Sequence, residues 1–245
     1  LDRVGVKNIR YPIKILDKSV EYQHTSAEVD LYVNLPHYFK GTHMSRFIEV
    51  FNEHAHNIRM NNFLHMLEEI RLSLHAEQSH GEIRFPFFME KKAPVSGRTS
   101  IMEYNCKFIG NVHSDFREFY VGIRVPVLTL CPCSREISEY GAHNQRSFVQ
   151  VLVQLGKFFW IEDMISLIEE CASAPLYTLL KREDEKYITE RSYDNPVFVE
   201  DMVREVTLKI EGLELFPWFS VEAENMESIH NHEAYACITR GTKTV

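Results

Sequence analysis

No stretch of the 245-residue sequence approaches the ~18 consecutive apolar residues that a membrane-spanning helix needs. The N-terminal Leu1-Asp2-Arg3-Val4 also lacks the apolar region of a signal peptide. The expectation is a cytoplasmic protein without a membrane partner. An excess of positive charge is missing too. Lys and Arg total 27 against 35 Asp and Glu, a formal net charge of -8, which argues against a nonspecific grip on a nucleic-acid polymer. Any anionic ligand must then be held by a local basic pocket. Cysteine is sparse, with five residues at 106, 131, 133, 171 and 237, an odd number without the spacing of a disulfide framework. Reduced thiols are expected, in keeping with a cytoplasmic compartment. Cys106, Cys171 and Cys237 sit among apolar residues as small hydrophobes, and only Cys131 and Cys133 have polar surroundings.

With 44% hydrophobic residues the chain can bury a substantial core. Val6 to Leu16 and Thr25 to Leu35 have strand character, with Ala27, Val29, Leu31 and Val33 alternating with mostly polar neighbours. Ser45 can cap a helix running through Asn57. A second helix starting at Asn61 or Asn62 carries Phe63, Met66, Leu67, Ile70 and Leu74 at a period near 3.6. Ile83 to Glu90 and the long run Thr99 to Leu130, punctuated by Gly110-Asn111 and Gly122, return to strand. The order then repeats. Ser147 to Leu155 reads as a strand, and Trp160 to Ala172 as a helix with Ile161, Ile165, Ile168 and Cys171 on one face. A further helix is predicted with Asn195 as N-cap, Pro196 in its first position, Val199, Val203, Val206 and Ile210 as its stripe and Gly212 as terminator. Strands follow over Phe219 to Glu224 and Ala234 to Thr239. Two similar units are expected, residues 1–118 and 119–245, sharing a continuous sheet without a Pro- or Gly-rich linker between them.

The apolar run Val125 to Leu130 leads into Cys131-Pro132-Cys133-Ser134-Arg135-Glu136 and then Tyr140-Gly141-Ala142-His143-Asn144-Gln145-Arg146-Ser147. Cys131 and Cys133 would share a face of an extended strand, but Pro132 opposes regular pairing, and a turn can present one thiol while burying the other. With His143 they offer thiolate and imidazole donors suited to zinc or a similar divalent metal. A structural thiol beside a surface histidine fits the same residues. In Glu224-Asn225-Met226-Glu227-Ser228-Ile229-His230-Asn231-His232, Glu227 and His230 meet if the segment is one helical turn, whereas His230 and His232 share a face if it is a strand. A solvated polar loop is the plain alternative. The charge run Lys181-Arg182-Glu183-Asp184-Glu185-Lys186-Tyr187 reads as solvated surface. His54, His56, His65 and His75 fall within helices and are assigned to packing or surface. Lys40-Gly41-Thr42-His43-Met44-Ser45-Arg46 opens a helix with backbone donors, hydroxyls and cations, a cradle for an oxyanion or simply an ordinary helix start.

Taken together, Leu130-Cys131-Pro132-Cys133-Ser134, Gly141 through Ser147, Lys40 through Arg46, Asp184-Glu185-Lys186-Tyr187 and Glu227 through His232 closely resemble the type IB GTP cyclohydrolase I family, over nearly the whole chain and in family order. The resemblance implies an α+β architecture of tandem tunnelling-fold (T-fold) domains, antiparallel sheets with paired helices on one face, most of the metal-site residues lying in the second domain. It implies metal-dependent hydrolysis of GTP to formate and 7,8-dihydroneopterin triphosphate, the first step of folate-type pterin biosynthesis. By motif, Cys131, His143, Glu185, Glu227 and His230 become ligands of a divalent metal (zinc, manganese or iron(II)), with Cys131 and His143 also catalytic. Glu200 becomes the carboxylate that holds the guanine edge, and Lys40, His43, Ser45 and Arg46 the triphosphate contacts. Active sites between subunits are implied as well, in a homo-oligomer expected to be a tetramer. Glu183 stands where the family pattern has proline, which leaves Glu183 and Glu185 as rival carboxylates for the metal.

Three rivals use the same residues. An archaeal-type relative would release a cyclic phosphate product. A noncatalytic nucleotide- or metal-binding module would bind GTP without yielding formate. A covalent Cys131 nucleophile activated by His143 would lose activity on alkylation of metal-free protein. A nitrile reductase of the same fold would need a different cysteine motif, which this sequence does not contain.

Overall fold

The computed structural model describes residues 1–35, 41–55 and 58–242. These residues form nine strands and six helices in the order β1 (Val4–Asp17), β2 (Glu21–Val33), α1 (Met44–His54), α2 (Met60–Ser73), β3 (Gln78–Lys92), β4 (Thr99–His113), β5 (Arg117–Leu130), α3 (Pro132–Ile137), β6 (Asn144–Gln154), α4 (Ile161–Glu170), β7 (Ala174–Pro175), α5 (Arg182–Asp194), α6 (Val199–Leu213), β8 (Trp218–Asn225) and β9 (Ala234–Gly241). The strand order is β1-β2-β3-β4-β5-β6-β8-β9, with β7 pairing β5. By internal contacts the chain divides into a first unit, Leu1–Phe87 with Asn105–Gly122, and a second, Phe88–Tyr104 with Ile123–Thr242. None of the helices is long and apolar enough to cross a membrane.

In the first unit, β1 and β2 pair antiparallel from Val4↔Val33 to Asp17↔Glu21, with a shift of register between Val6 and Ile9. Asn8 sits in that irregularity at φ 57° and donates its N–H to Asp30 Oδ1 at 2.8 Å. Their connecting turn is organised by Asp17, whose Oδ1 accepts from the Ser19 N–H and hydroxyl and from the Val20 N–H. Ala27, Val29, Leu31 and Val33 are all buried, as their alternation predicts. Helix α2 buries Phe63, Met66, Leu67 and Ile70, each contributing about 1.5–3 kcal/mol by leaving water. It lies so close to the sheet that a Cβ on Gly81 would stand 2.8 Å from Leu67 Cδ2, and one on Gly110 2.5 Å from Leu67 Cδ1. Gly110 therefore lies inside β4 and marks the approach of a helix. The expected break at Gly110-Asn111 is absent, and the chain turns instead after His113, whose N–H donates to the Phe116 carbonyl.

The second unit pairs β6 with β8 from Ser147↔Asn225 to Val153↔Phe219, and β8 with β9 from Trp218↔Gly241 to Asn225↔Ala234. The predicted stripes of α4 and α6 are buried: Ile161, Ile165, Ile168 and Cys171 in and just after α4, and Val199, Val203, Val206 and Ile210 in α6. The start of α6 differs from expectation. Asn195 closes α5, its N–H donating to the Arg191 carbonyl, and Val197 donates its N–H to the Leu130 carbonyl, so Pro196 lies in the extended link and Phe198 is the N-cap. The terminator differs as well, because Gly212 falls within the last turn and Glu214 takes the left-handed position at φ 53°. Helix α5 replaces the expected solvated charge run. Asp184, Ile188 and Ser192, four residues apart, form a narrow buried stripe beneath its exposed charges.

Candidate active site

β5 ends on Leu130, whose N–H donates to the Ser173 hydroxyl at 3.0 Å. Beside it, the Thr129 and Ser147 hydroxyls share a buried 2.6 Å hydrogen bond. Cys131 is the N-cap of α3, with Pro132 in the first turn where its missing N–H costs nothing. Ser134 ties the loop together. Its N–H donates to Cys131 Sγ at 3.4 Å, its hydroxyl donates to the Cys131 carbonyl at 3.1 Å, and its Oγ accepts from the His143 N–H at 3.2 Å. The Cys131 N–H in turn donates to the His143 carbonyl at 3.1 Å. Cys131 and His143 are thus fixed to one another through backbone and a single serine, although α3 and its following turn separate them in sequence.

The second contribution comes from the link between β8 and β9. Met226 extends the ladder by donating its N–H to the Arg146 carbonyl at 3.0 Å. Residues 226–233 then form neither a helical turn nor a strand but a bent loop, in which the His230 and His232 rings stack at 5.0 Å. Side chains of this loop reach back to β6 and its approach. His143 Nδ1 and Ser228 Oγ are 3.1 Å apart, and Gln145 Nε2 donates to Glu227 Oε1 at 3.3 Å.

These segments and the start of α6 border an open cavity of about 340 Å³. Cys131, His143, Glu200, Glu227 and His230 all line it, and His232 adds a further imidazole. Val197, Phe198 and Val199 supply an apolar wall. The donor chemistry fits a borderline divalent metal, for which thiolate, imidazole and carboxylate are all suitable ligands. Two orphaned acceptors support the fit: Gln145 Oε1 and Asn225 Oδ1 are buried in the lining residues and accept no hydrogen bond among the described residues. No three of the cavity's Cys, His and Glu donors lie within 4.8 Å of one another, so coordination requires side-chain rotation from the hydrogen-bonded arrangement.

The remaining expected residues lie elsewhere. Glu185 is in the first turn of α5, half exposed and 3.3 Å from the Arg182 guanidinium, and it does not line the cavity; Glu183 is exposed in the same turn. Cys133 is an exposed lining residue. His43, Ser45 and Arg46 belong to the first unit. His43 is the N-cap of α1, Ser45 is exposed in its first turn, and Arg46 donates to the Ser73 carbonyl at the end of α2. Lys40 lies outside the described residues.

Sequence reasoning missed Gln145, Asn225, Ser134 and Ser228 as site builders, although all four stand inside the motifs that drew attention. It also missed Asp184, which is fully buried and anchors the loop between β3 and β4. Its carboxylate accepts from the Val95 and Ser96 N–H groups, the Ser96 hydroxyl and the Lys181 N–H. Burial opposes its charge, but these hydrogen bonds outweigh burial and hold the carboxyl well below the usual carboxylate range. The signal was an acidic residue three positions after the helix boundary at Lys181.

The fold is matched by solved structures at low identity. A uricase from Arthrobacter globiformis is similar at a TM-score of 0.59 and 8% identity, covering 100% of this chain and 94% of that one. A uricase from Bacillus fastidious is similar at 0.62 and 8%, covering 98% and 93%. At that identity the likeness shows the tunnelling fold alone. Sequence relatives are much nearer. "GTP cyclohydrolase FolE2" of Geotalea uraniireducens (strain Rf4) is 57% identical over 240 residues, 98% of this chain and 88% of the relative. The protein of the same name from Syntrophotalea carbinolica (strain DSM 2380 / NBRC 103641 / GraBd1) is 56% identical over 238 residues, 97% and 89%. A family model described as type I GTP cyclohydrolase folE2 matches residues 1–236, and the chain belongs to that family.

Proposed function

We propose that this protein is a metal-dependent GTP cyclohydrolase of type IB, which hydrolyses GTP to formate and 7,8-dihydroneopterin triphosphate at the head of folate-type pterin biosynthesis. One observation carries the reading: Cys131, His143, Glu227 and His230, from two loops far apart in sequence, line the same cavity as Glu200. Cys131, His143, Glu227 and His230 would hold the metal, with zinc, manganese and iron(II) all suited to such a mixed donor set. When bound, the metal supplies Lewis acidity, lowering the pKa of water in the cleft towards about 7. The protein's own groups do the rest. Ser134 and Ser228 orient Cys131 and His143, and Gln145 orients Glu227.

Glu200, in the first turn of α6, accepts hydrogen bonds from the guanine N1–H and 2-amino group, while Val197 and Phe198 face the purine and exclude water from one side. This places C8 towards the Cys131–His143 end for attack by water. Addition at C8 opens the imidazole ring to a formamide, a second hydrolysis releases formate, and closure of the pyrazine ring returns one water. Glu185, or Glu183 beside it, would complete the metal shell after movement of the α5 start. In a cytoplasmic homotetramer with active sites between subunits, Lys40, His43, Ser45 and Arg46 hold the triphosphate of GTP bound at a neighbouring subunit's cleft.

The test is formate release from GTP by chelator-stripped protein, with zinc, manganese or iron(II) added back, and mass analysis of the product. The expected result is metal-restored formate together with dihydroneopterin triphosphate, lost in Cys131→Ala. GTP binding without formate under any of the metals would make the protein a binding module, and a cyclic phosphate product would assign it the archaeal-type reaction.

A further inference from the structure

The described residues contain one group of three His, Cys, Asp or Glu donors whose ligand atoms all lie within 4.8 Å of one another, and it is outside the cleft described above: His54, His65 and Glu69, in the first unit. His54 is in the last turn of α1. His65 and Glu69 are four residues apart and so share one face of α2. His54 Nε2 and Glu69 Oε2 are 2.8 Å apart, and the His54 and His65 rings are tilted against each other with centroids at 5.5 Å.

We infer that His54, His65 and Glu69 form a second divalent-metal site, for a borderline transition ion such as zinc or cobalt, which clips the end of α1 to α2. Three arguments support the assignment. Donors bound at about 2.0–2.2 Å stand about 2.8–3.1 Å apart in octahedral and about 3.3–3.6 Å apart in tetrahedral geometry, so the range runs from about 2.8 to 3.6 Å. The His54–Glu69 pair is already at that separation, and His65 is exposed and free to swing inward. Two imidazoles and one carboxylate match zinc, cobalt or nickel in hardness and disfavour calcium and magnesium, which take oxygen ligands. The site also stands at the C-terminal end of α1, where the helix dipole favours a cation. Neighbouring Glu68 does not compete, because Arg71 holds both of its oxygens at 2.8 Å.

The experiment titrates cobalt(II) and zinc into the full chelator-stripped chain and compares wild type with His65→Ala and Glu69→Gln. Wild type is expected to bind two equivalents per chain, one with a thiolate-to-cobalt charge-transfer band from Cys131 and one without it. Either substitution should weaken the band-free equivalent at least about tenfold, leave the thiolate-linked one in place, preserve formate release, and remove part of the zinc-dependent rise in Tm. The inference is overturned if wild type holds only the thiolate-linked equivalent, or if both variants bind two equivalents as wild type does. The band reports the other cleft separately, so failure here and failure of the proposed function are distinguishable.

Discussion

Each unit has a cleft that carries titratable side chains, and the two are built on opposite terms. The first unit's cleft, about 200 Å³, is lined by Arg3, Tyr32, His80, Asn111, His113 and Glu118 among others. Its central groups satisfy one another: His80 Nδ1 is 2.6 Å from Asn111 Oδ1, and Asn111 Nδ2 donates to Glu118 Oε2 at 3.0 Å. Burial pushes the His80 imidazole below its ordinary pKa and outweighs the Asn111 bond. The second unit's cleft holds two thiols, three imidazoles and two carboxylates, and leaves Gln145 Oε1 and Asn225 Oδ1 without donors among the described residues. A closed hydrogen-bond chain stabilises a fold, whereas buried acceptors left open are costly unless a ligand meets them. That difference, more than size or shape, supports the proposal that the chemistry takes place in the second cleft.

The units contrast in their ion pairs as well, and the largest predicted effect tests this. In the second unit, Glu169 Oε1 accepts from both Lys91 Nζ and the Tyr104 hydroxyl at 2.8 Å, deep in the core. Desolvation lowers the Lys91 pKa despite the opposing pull of Glu169. Glu169→Ala should cost about 3–5 kcal/mol in urea unfolding, because it leaves a buried ammonium without its carboxylate. In the first unit Arg84 meets Glu28, Asp30 and Glu82 near the surface, and Glu28→Ala should cost under about 1 kcal/mol. Equal losses would break the contrast.

Next in size, Cys131→Ala should lower kcat/KM for formate release by at least about a hundredfold, beyond the range for a residue that only orients a ligand. Gln145→Ala should lower metal affinity about 10- to 100-fold by freeing Glu227, read by competition with a chelator. In the first cleft, Asn111→Ala should cost about 1–3 kcal/mol of stability by taking the His80 Nδ1 partner away. A change in metal affinity from Asn111→Ala as large as that from Gln145→Ala would erase the distinction between the clefts. The smallest effect concerns pH. Asp184 has a folded pKa below its unfolded value of about 3.9, so its contribution is fully present above that value and declines as pH falls towards the folded one. Urea midpoints between about pH 5 and pH 2 should fall less steeply in Asp184→Asn than in wild type.

Much of the fold was legible because burial repeats at the period of the element. The Phe63–Met66–Leu67–Ile70 and Val203–Val206–Ile210 stripes and the alternation of β2 each carry several residues' worth of signal. Single-residue signals misled. Asn195 and Pro196 have the chemistry of a helix start, yet the hydrogen bonds of Asn195 to Arg191 and of Val197 to Leu130 fix that segment as a link. Gly110 has the chemistry of a break, yet it serves the close approach of α2. Of the candidate site, Cys131, His143, Glu200, Glu227 and His230 were singled out through motifs, and the structure brings these five to one cavity. Gln145 and Asn225 were not, because an amide's role depends on which partner it lacks. His54 and His65 were assigned to packing or surface because their juxtaposition depends on how α1 meets α2, which no local pattern records.

The most direct measurement is the absorption spectrum of the cobalt(II)-loaded enzyme with and without GTP, read beside formate release in the same sample. A thiolate-to-cobalt band that shifts on adding GTP, and that disappears together with formate release in Cys131→Ala, is the predicted result. An active cobalt enzyme without that band would contradict the assignment of the second unit's cleft as the catalytic metal site.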